Sequence, residues 1–165
     1  QTRRNLEITH TVRDNTTTGS LLWALDRTVT AMGGRLLKQW LLQPLKDISQ
    51  IEKRLDTIAE LQNHLLRNKL RNLLEEVYDI ERIAGRISAN TANARDLVAL
   101  GQSLDRLSDI SQLLQESKTE YLRALQQLPP ALLELADRIQ TTLVENPPIS
   151  LTEGGLIRPG VNKEL

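Results

Sequence analysis

The sequence predicts a mainly α-helical protein: a multi-helix bundle with a long amphipathic helix and a small β-hairpin or short strands near the termini. Three observations carry that reading. Leucine supplies the apolar mass, while Phe is absent and Trp23, Trp40, Tyr78 and Tyr121 are the whole aromatic complement, a balance that favours helices over β-branched strands. From Ala94 onward Leu97, Leu100, Leu104, Leu107 and Leu114 recur at steps of three and four, with Ser111 in the one polar slot, which makes a heptad stripe. Capping residues and prolines then divide the rest into helix-sized pieces.

The elements follow in order. Leu6 and Ile8 have the spacing of a short strand, and residues 21 to about 27 of a short helix that Gly19-Ser20 enters. Thr30 can cap a helix that carries Met32, Leu36, Leu37, Trp40 and Leu41 inward until Pro44 forces its predecessor out of the helical region. Asp47 and Gln50 have the spacing of a capping-box variant and open a helix with Ile51, Leu55 and Ile58 on its apolar face, and Leu61 or Gln62 near it. Asp79 to Ser88 repeats the logic. The Ala94 helix has Thr91 and Asn93 as candidate N-caps and Asp96 in its first turn, where the dipole favours a carboxylate. After Pro129-Pro130 a last helix runs Leu132, Leu135, Ile139 and Leu143, and yields to Pro147-Pro148. Ile149 and Leu151, then Glu153-Gly154-Gly155, then Leu156 and Ile157 read as two strands about a glycine turn.

The chain has 165 residues, about one domain's worth. It has 21 basic and 21 acidic side chains and no cysteine, which excludes disulfide frameworks, thiolate zinc sites and cysteine nucleophiles. Residues 1–46 hold 7 basic against 3 acidic side chains, so any phosphate-neutralising surface is local and N-terminal. No apolar run approaches a membrane span, and no signal peptide is visible. A start at Gln1 and an end at Glu164-Leu165 in mid-pattern suggest a piece of a longer protein.

Candidate chemistry is sparse. His10 and His64 are far apart and lack ligand partners at helical spacing. Glu75, Asp79 and Glu81 could pair carboxylates on one helix face for acid and base work; the plainer reading is a solvated face beside Arg82 and Arg86. Gly33-Gly34 could offer amides to an anion, but the Lys and Ser/Thr of a phosphate loop are missing and close backbone packing explains them better. Arg3, Arg4, Arg13, Arg27, Arg35, Lys38 and Lys46 suit either phosphate contacts or a face toward other domains. Residues alone therefore give a non-catalytic helical interaction module. A free-standing adaptor that dimerises through the Leu97 stripe is the competing reading.

A resemblance adds to this. Thr2-Arg3-Arg4-Asn5-Leu6-Glu7, Gly19 to Asp26, and the run from Thr28 through Gly33-Gly34-Arg35-Leu36-Leu37-Lys38 to Leu41 resemble the core, or lever, domain of the MutS family of mismatch-repair ATPases. The likeness continues through Pro44-Leu45-Lys46-Asp47, Arg54-Leu55-Asp56, Asp79-Ile80-Glu81-Arg82, Ala94-Arg95-Asp96-Leu97 and Gly154-Gly155-Leu156-Ile157 to Gly160 and Glu164-Leu165. Two departures, Gly160-Val161-Asn162 for Gly-Tyr-acidic and Ala94 for Pro, bear on local geometry.

The resemblance implies a single core domain over residues 1–165, with 160–165 a stub toward a DNA-clamp domain. It implies a helical connector between ATPase and clamp, with Leu97, Leu100, Leu104, Leu107 and Leu114 as the lever's packing. Arg3, Arg4, Arg35 and Lys38 would then face DNA or a neighbouring domain. The family's Phe-x-Glu mismatch-reading motif and nucleotide loop are absent, so this stretch itself needs no cofactor, with ATP and Mg held elsewhere in the parent. Expected partners are the parent's other domains, a second such subunit, duplex DNA through the parent and MutL, with no membrane; the expected location is the cytoplasm, on the nucleoid.

Overall fold

A computed structural model describes residues 2–148 and 151–161. It is mainly helical and bundle-like. In chain order the helices are α1 (Thr2–Asn5), α2 (Leu21–Leu25), α3 (Ala31–Leu42), α4 (Ile48–Glu60), α5 (His64–Glu75), α6 (Ile80–Ser88), α7 (Ala94–Leu113), α8 (Glu120–Arg123) and α9 (Pro130–Thr142).

Local chemistry sets most boundaries. The Ser20 hydroxyl accepts from the Trp23 amide and starts α2. Thr30 does the same for Gly33 at the head of α3, which ends two residues before Pro44. Asp47 accepts from the amides of Ser49 and Gln50 at 2.9 and 3.3 Å. The return half of a capping box does not form there, because the Gln50 side chain instead accepts from the Tyr121 hydroxyl at 3.2 Å. Asn63 opens α5 by accepting from the Leu65 and Leu66 amides, and Asp79 opens α6. A full reciprocal box forms at α7, where Asn93 rather than Thr91 is the cap: the Asp96 amide donates to Asn93 and the Asn93 amide donates to Asp96, at 2.9 and 3.1 Å.

Helix α7 lies against α9, α5 and α6, while α4 lies against α8. Helix α4 reaches the core through Leu61 at its C-terminal end. Two apolar clusters sit along α7. Ile83, Leu100, Leu104, Ala136 and Ile139 form one. Ile110, Leu114 and Leu122 form the other, walled by Leu66, Leu70, Leu73 and Leu74 of α5.

The β expectations fail among the described residues. Leu151–Glu153 is a 3-10 turn, and Gly154 and Gly155 adopt φ of 71° and 68°, which fold the chain back without a partner strand. Ile157 forms an isolated antiparallel bridge with Leu143, so the returning segment joins the end of α9. Ile149 lies outside the described residues, as do residues 162–165 of the expected stub. Leu6 and Ile8 make no strand either: Glu7 and Ile8 accept from the Leu21 and Leu22 amides across a loop.

Candidate functional site

The leucine stripe, which is the expected lever packing, is built from α7. Leu100 and Leu104 are buried in the first cluster and Leu114, fully buried, in the second, while half-buried Leu107 touches both and half-buried Leu97 edges the first. Stripe and clusters together make one continuous apolar spine along 20 residues. The self-associating adaptor needs that seam on the outside, whereas here α5, α6 and α9 cover it.

Gly101 sets the distance between α7 and α9. A Cβ built there meets the Ile139 side chain at 3.0 and 3.3 Å, so any side chain at this crossing has to displace Ile139 from its packed position. Buried polar groups on the same helix are satisfied. Ser103 accepts from the Tyr78 amide at 3.0 Å and donates to the Ala99 carbonyl at 2.7 Å, tying the loop before α6 to the spine. Ser111, the polar slot in the stripe, donates to the Gln126 carbonyl at 2.7 Å. The Gln126 amide in turn donates to the carbonyls of Leu114 and Ser117, each at 2.8 Å. These hydroxyls exchange water for protein partners and hold register where leucine would have no directional bond.

Charged groups fasten the helix ends. Arg86 of α6 grips Asp96 in the first turn of α7 at 2.5 and 2.9 Å. Those hydrogen bonds, against partial burial, hold the Asp96 carboxyl below its ordinary range. Arg35 of α3 donates to both oxygens of Asp79 at 2.7 and 2.8 Å and to Glu81 at 2.6 and 3.0 Å. The Arg35 bonds lower the Asp79 carboxyl to about 2. The two carboxylates in turn raise the Arg35 guanidinium further above its already high value.

That geometry reassigns the carboxylate trio. Glu75 ends α5 while Asp79 and Glu81 belong to the head of α6, so they share no single helix face, and Asp79 and Glu81 converge on Arg35. Among the described residues no group of three or more His, Cys, Asp and Glu side chains is placed to hold a metal ion. His10 contacts Thr9, and His64 contacts Arg67.

Of the expected contact cations, Arg35 is committed to α6, whereas Arg4 and Lys38 are exposed and have no ion pair among the described residues. The side chain of Arg3 lies outside the described residues. Gly33 is also explained locally, though not by backbone packing: a Cβ there meets the Thr30 hydroxyl at 2.9 Å and Thr28 Cβ at 3.4 Å. Thr28 is itself held by the Asp26 carboxylate through its amide and hydroxyl at 2.9 and 2.7 Å.

The expected inward faces of α3 and α4 are covered only in part: Met32, Leu37 and Leu41 of α3 are half-buried. Leu36 and Trp40 are exposed, as are Ile51, Leu55 and Ile58, the last two at 57%. Trp40 carries the Arg54 guanidinium 3.7 Å above its ring instead of a core neighbour. The sequence reading also passed over α5 and α8, although Asn63 ahead of Leu66, Leu70, Leu73 and Leu74 is a cap followed by a helical stripe. No helix among the described residues is long and apolar enough to cross a membrane.

Comparison with known proteins meets this structure over its whole length. The family model for MutS domain III matches residues 1–164. The DNA mismatch repair protein MutS of Trichormus variabilis is 61% identical across 100% of the chain, and that of Nostoc punctiforme is likewise 61% identical. The protein of the same name from Synechococcus sp. is 57% identical over 100% of the chain. The chain spans 19% of the length of each of these relatives.

Proposed function

Since the chain belongs to the MutS domain III family, we propose that it is the non-catalytic coupling domain of a mismatch-repair ATPase, joining the ATPase end to the part that grips DNA. The observation that carries this is the α7 spine: a 20-residue helix whose leucines join two apolar clusters shared with its neighbours α5, α6 and α9. Close-packed interiors resist graded deformation. A helix fixed in this way moves as a body, and a shift imposed at one end arrives at the other. On this reading the chemistry of the parent belongs to other domains.

The same reading assigns ATP and Mg to those domains and gives this one no cofactor. It makes the partners the other domains of its own chain, a second such subunit, and duplex DNA through the parent, with MutL a further partner and the bacterial cytoplasm the setting. Of the candidate cations, Arg4 and Lys38 stay available for a DNA or interdomain contact, whereas Arg35 supports the internal α3 to α6 link. Residues 1–165 then act as one domain.

Binding of the chain to matched and mismatched duplexes across a salt series tests this. Weak binding, equal for both duplexes, with no ATP hydrolysis is expected. Selective binding of the mismatch, or turnover of ATP by this chain, would place the recognition or the chemistry here and overturn the assignment.

A further inference from the structure

Residues 2–43 and the rest of the described chain share no apolar core. Neither cluster contains a residue earlier than Leu61, and α3 has no buried residue. Leu22 is the buried apolar residue of this N-terminal lobe. It belongs to the lobe's own packing, in which α2 lies against α3 and the loop 6–8 accepts from the Leu21 and Leu22 amides. The lobe nevertheless carries Leu21, Trp23, Leu25, Leu36 and Trp40 on its outside, each at least 40% exposed.

Polar contacts cross from lobe to body. Arg35 makes four hydrogen bonds to Asp79 and Glu81. Arg71 of α5 donates to the Arg27 carbonyl at 2.9 Å, and Arg54 stacks on Trp40. Every one of these contacts depends on an arginine, and the chain between the two parts is the Gln43-Pro44-Leu45-Lys46-Asp47 connection. Apolar burial is insensitive to ionic strength, whereas half-exposed ion pairs such as Arg35 with Glu81, 37% and 70% exposed, weaken as salt screens them.

We propose that residues 2–43 form an arm that swings on the 43–47 connection, and that Arg35 seated between Asp79 and Glu81 is the latch that holds it closed. The clamp is bidentate on Asp79, so it fixes an angle as well as a distance. Asp79 is also the cap of α6, and α6 abuts the first turn of α7 through Arg86 and Asp96. The arm's position is thereby linked to the start of the spine by two successive ion pairs. Opening the latch frees the arm without dismantling either apolar cluster. The inference stands whether or not the domain couples nucleotide to DNA.

The absence of cysteine makes the test direct. In the full 165-residue chain, spin labels on Gln39→Cys and Asn72→Cys report the lobe-to-body distance, and labels on Gln112→Cys and Glu134→Cys report the body alone. At low salt the first pair is expected to give one narrow distance distribution. Arg35→Gln, or salt at about 1 M, where the screening length is roughly 3 Å, is expected to add a longer-distance population of comparable weight while the second pair stays unchanged. Glu81→Gln, which leaves the α6 cap in place, is expected to add a smaller fraction of the same population. A lobe-to-body distribution that stays narrow in Arg35→Gln and at high salt would overturn the latch. So would equal broadening of both label pairs, since that is loosening of the whole fold.

Discussion

Asp79 does two things at once: it caps α6 through the Arg82 amide at 3.2 Å and receives the Arg35 fork. Its carboxyl is held at about 2, chiefly by the Arg35 hydrogen bonds, against about 3.9 in an unfolded chain. A carboxyl lowered by folding stabilises the native state in full above its unfolded value and loses that contribution as pH falls toward the folded value. The urea midpoint is therefore expected to be flat through this group between about pH 7 and 5 and to fall below about pH 4. Asp79→Asn is expected to show a shallower acid decline; an identical decline in both proteins would remove Asp79 as its source. Gly101 makes a sharper case. A side chain there runs into Ile139, and Gly101→Val is expected to destabilise by about 1–3 kcal/mol through overpacking, read as a lowered midpoint. An unchanged midpoint would mean that α7 and α9 can part without cost. At this scale sequence reading sees the residue types but not their neighbours. Gly101 and Ser103 gave no signal, because a close helix crossing and a bond to a loop amide 25 residues away exist only once the chain has folded. Asp79 and Glu81 were read as a solvated face for the same reason: Arg35 is 44 residues from Asp79.

At the scale of elements, α7 depends on how it begins. Its box joins Asn93 and Asp96 reciprocally, and the same Asp96 takes the Arg86 fork. Asn93→Ala is expected to cost about 1 kcal/mol from the cap, with faster amide exchange in the first turn and little change at Leu114. Exchange raised equally along α7 would show that the cap governs the whole helix rather than its end. Helices were legible wherever a cap, a period and a stop coincided, as with Thr30 and Pro44 for α3 or Asn93 with the stripe for α7. The period failed to say which faces are covered. Ile51, Leu55 and Ile58 of α4 have faultless core spacing and remain exposed, because spacing reports a face that wants a partner and not that one is present. The expected hairpin failed by a different route. Ile157 and Leu143 do bridge, but the Leu143 partner comes from the end of a helix, where the Val144 amide donates to Leu156 and the Arg158 amide to Thr142. Arg158 adds a side-chain bond to the Leu143 carbonyl at 2.7 Å. A freed helix end was satisfied by a short return segment, which local alternation cannot distinguish from a strand.

For the molecule as a whole, two different kinds of joint emerge. The body is a bundle around α7 with continuous apolar contact, while the N-terminal lobe is attached by arginines. Stiffness and mobility are thus divided between parts of one short chain, which suits the coupling role proposed for it. Composition, the leucine period and the caps together reached the helical class, and the resemblance reached the family; the division between spine and latch needed the contacts. The central claim is that the packed spine carries the coupling. The most direct test is the change in mismatched-DNA affinity on adding ATP to the full-length protein, compared between wild type, Leu104→Ala in the spine and Leu133→Ala on the exposed side of α9. Leu104→Ala removes about 2–5 kcal/mol of packing, so folding is first verified by its thermal transition. The account predicts that the ATP-dependent change shrinks at least several-fold in folded Leu104→Ala and is retained in Leu133→Ala. An undiminished response in folded Leu104→Ala would contradict it.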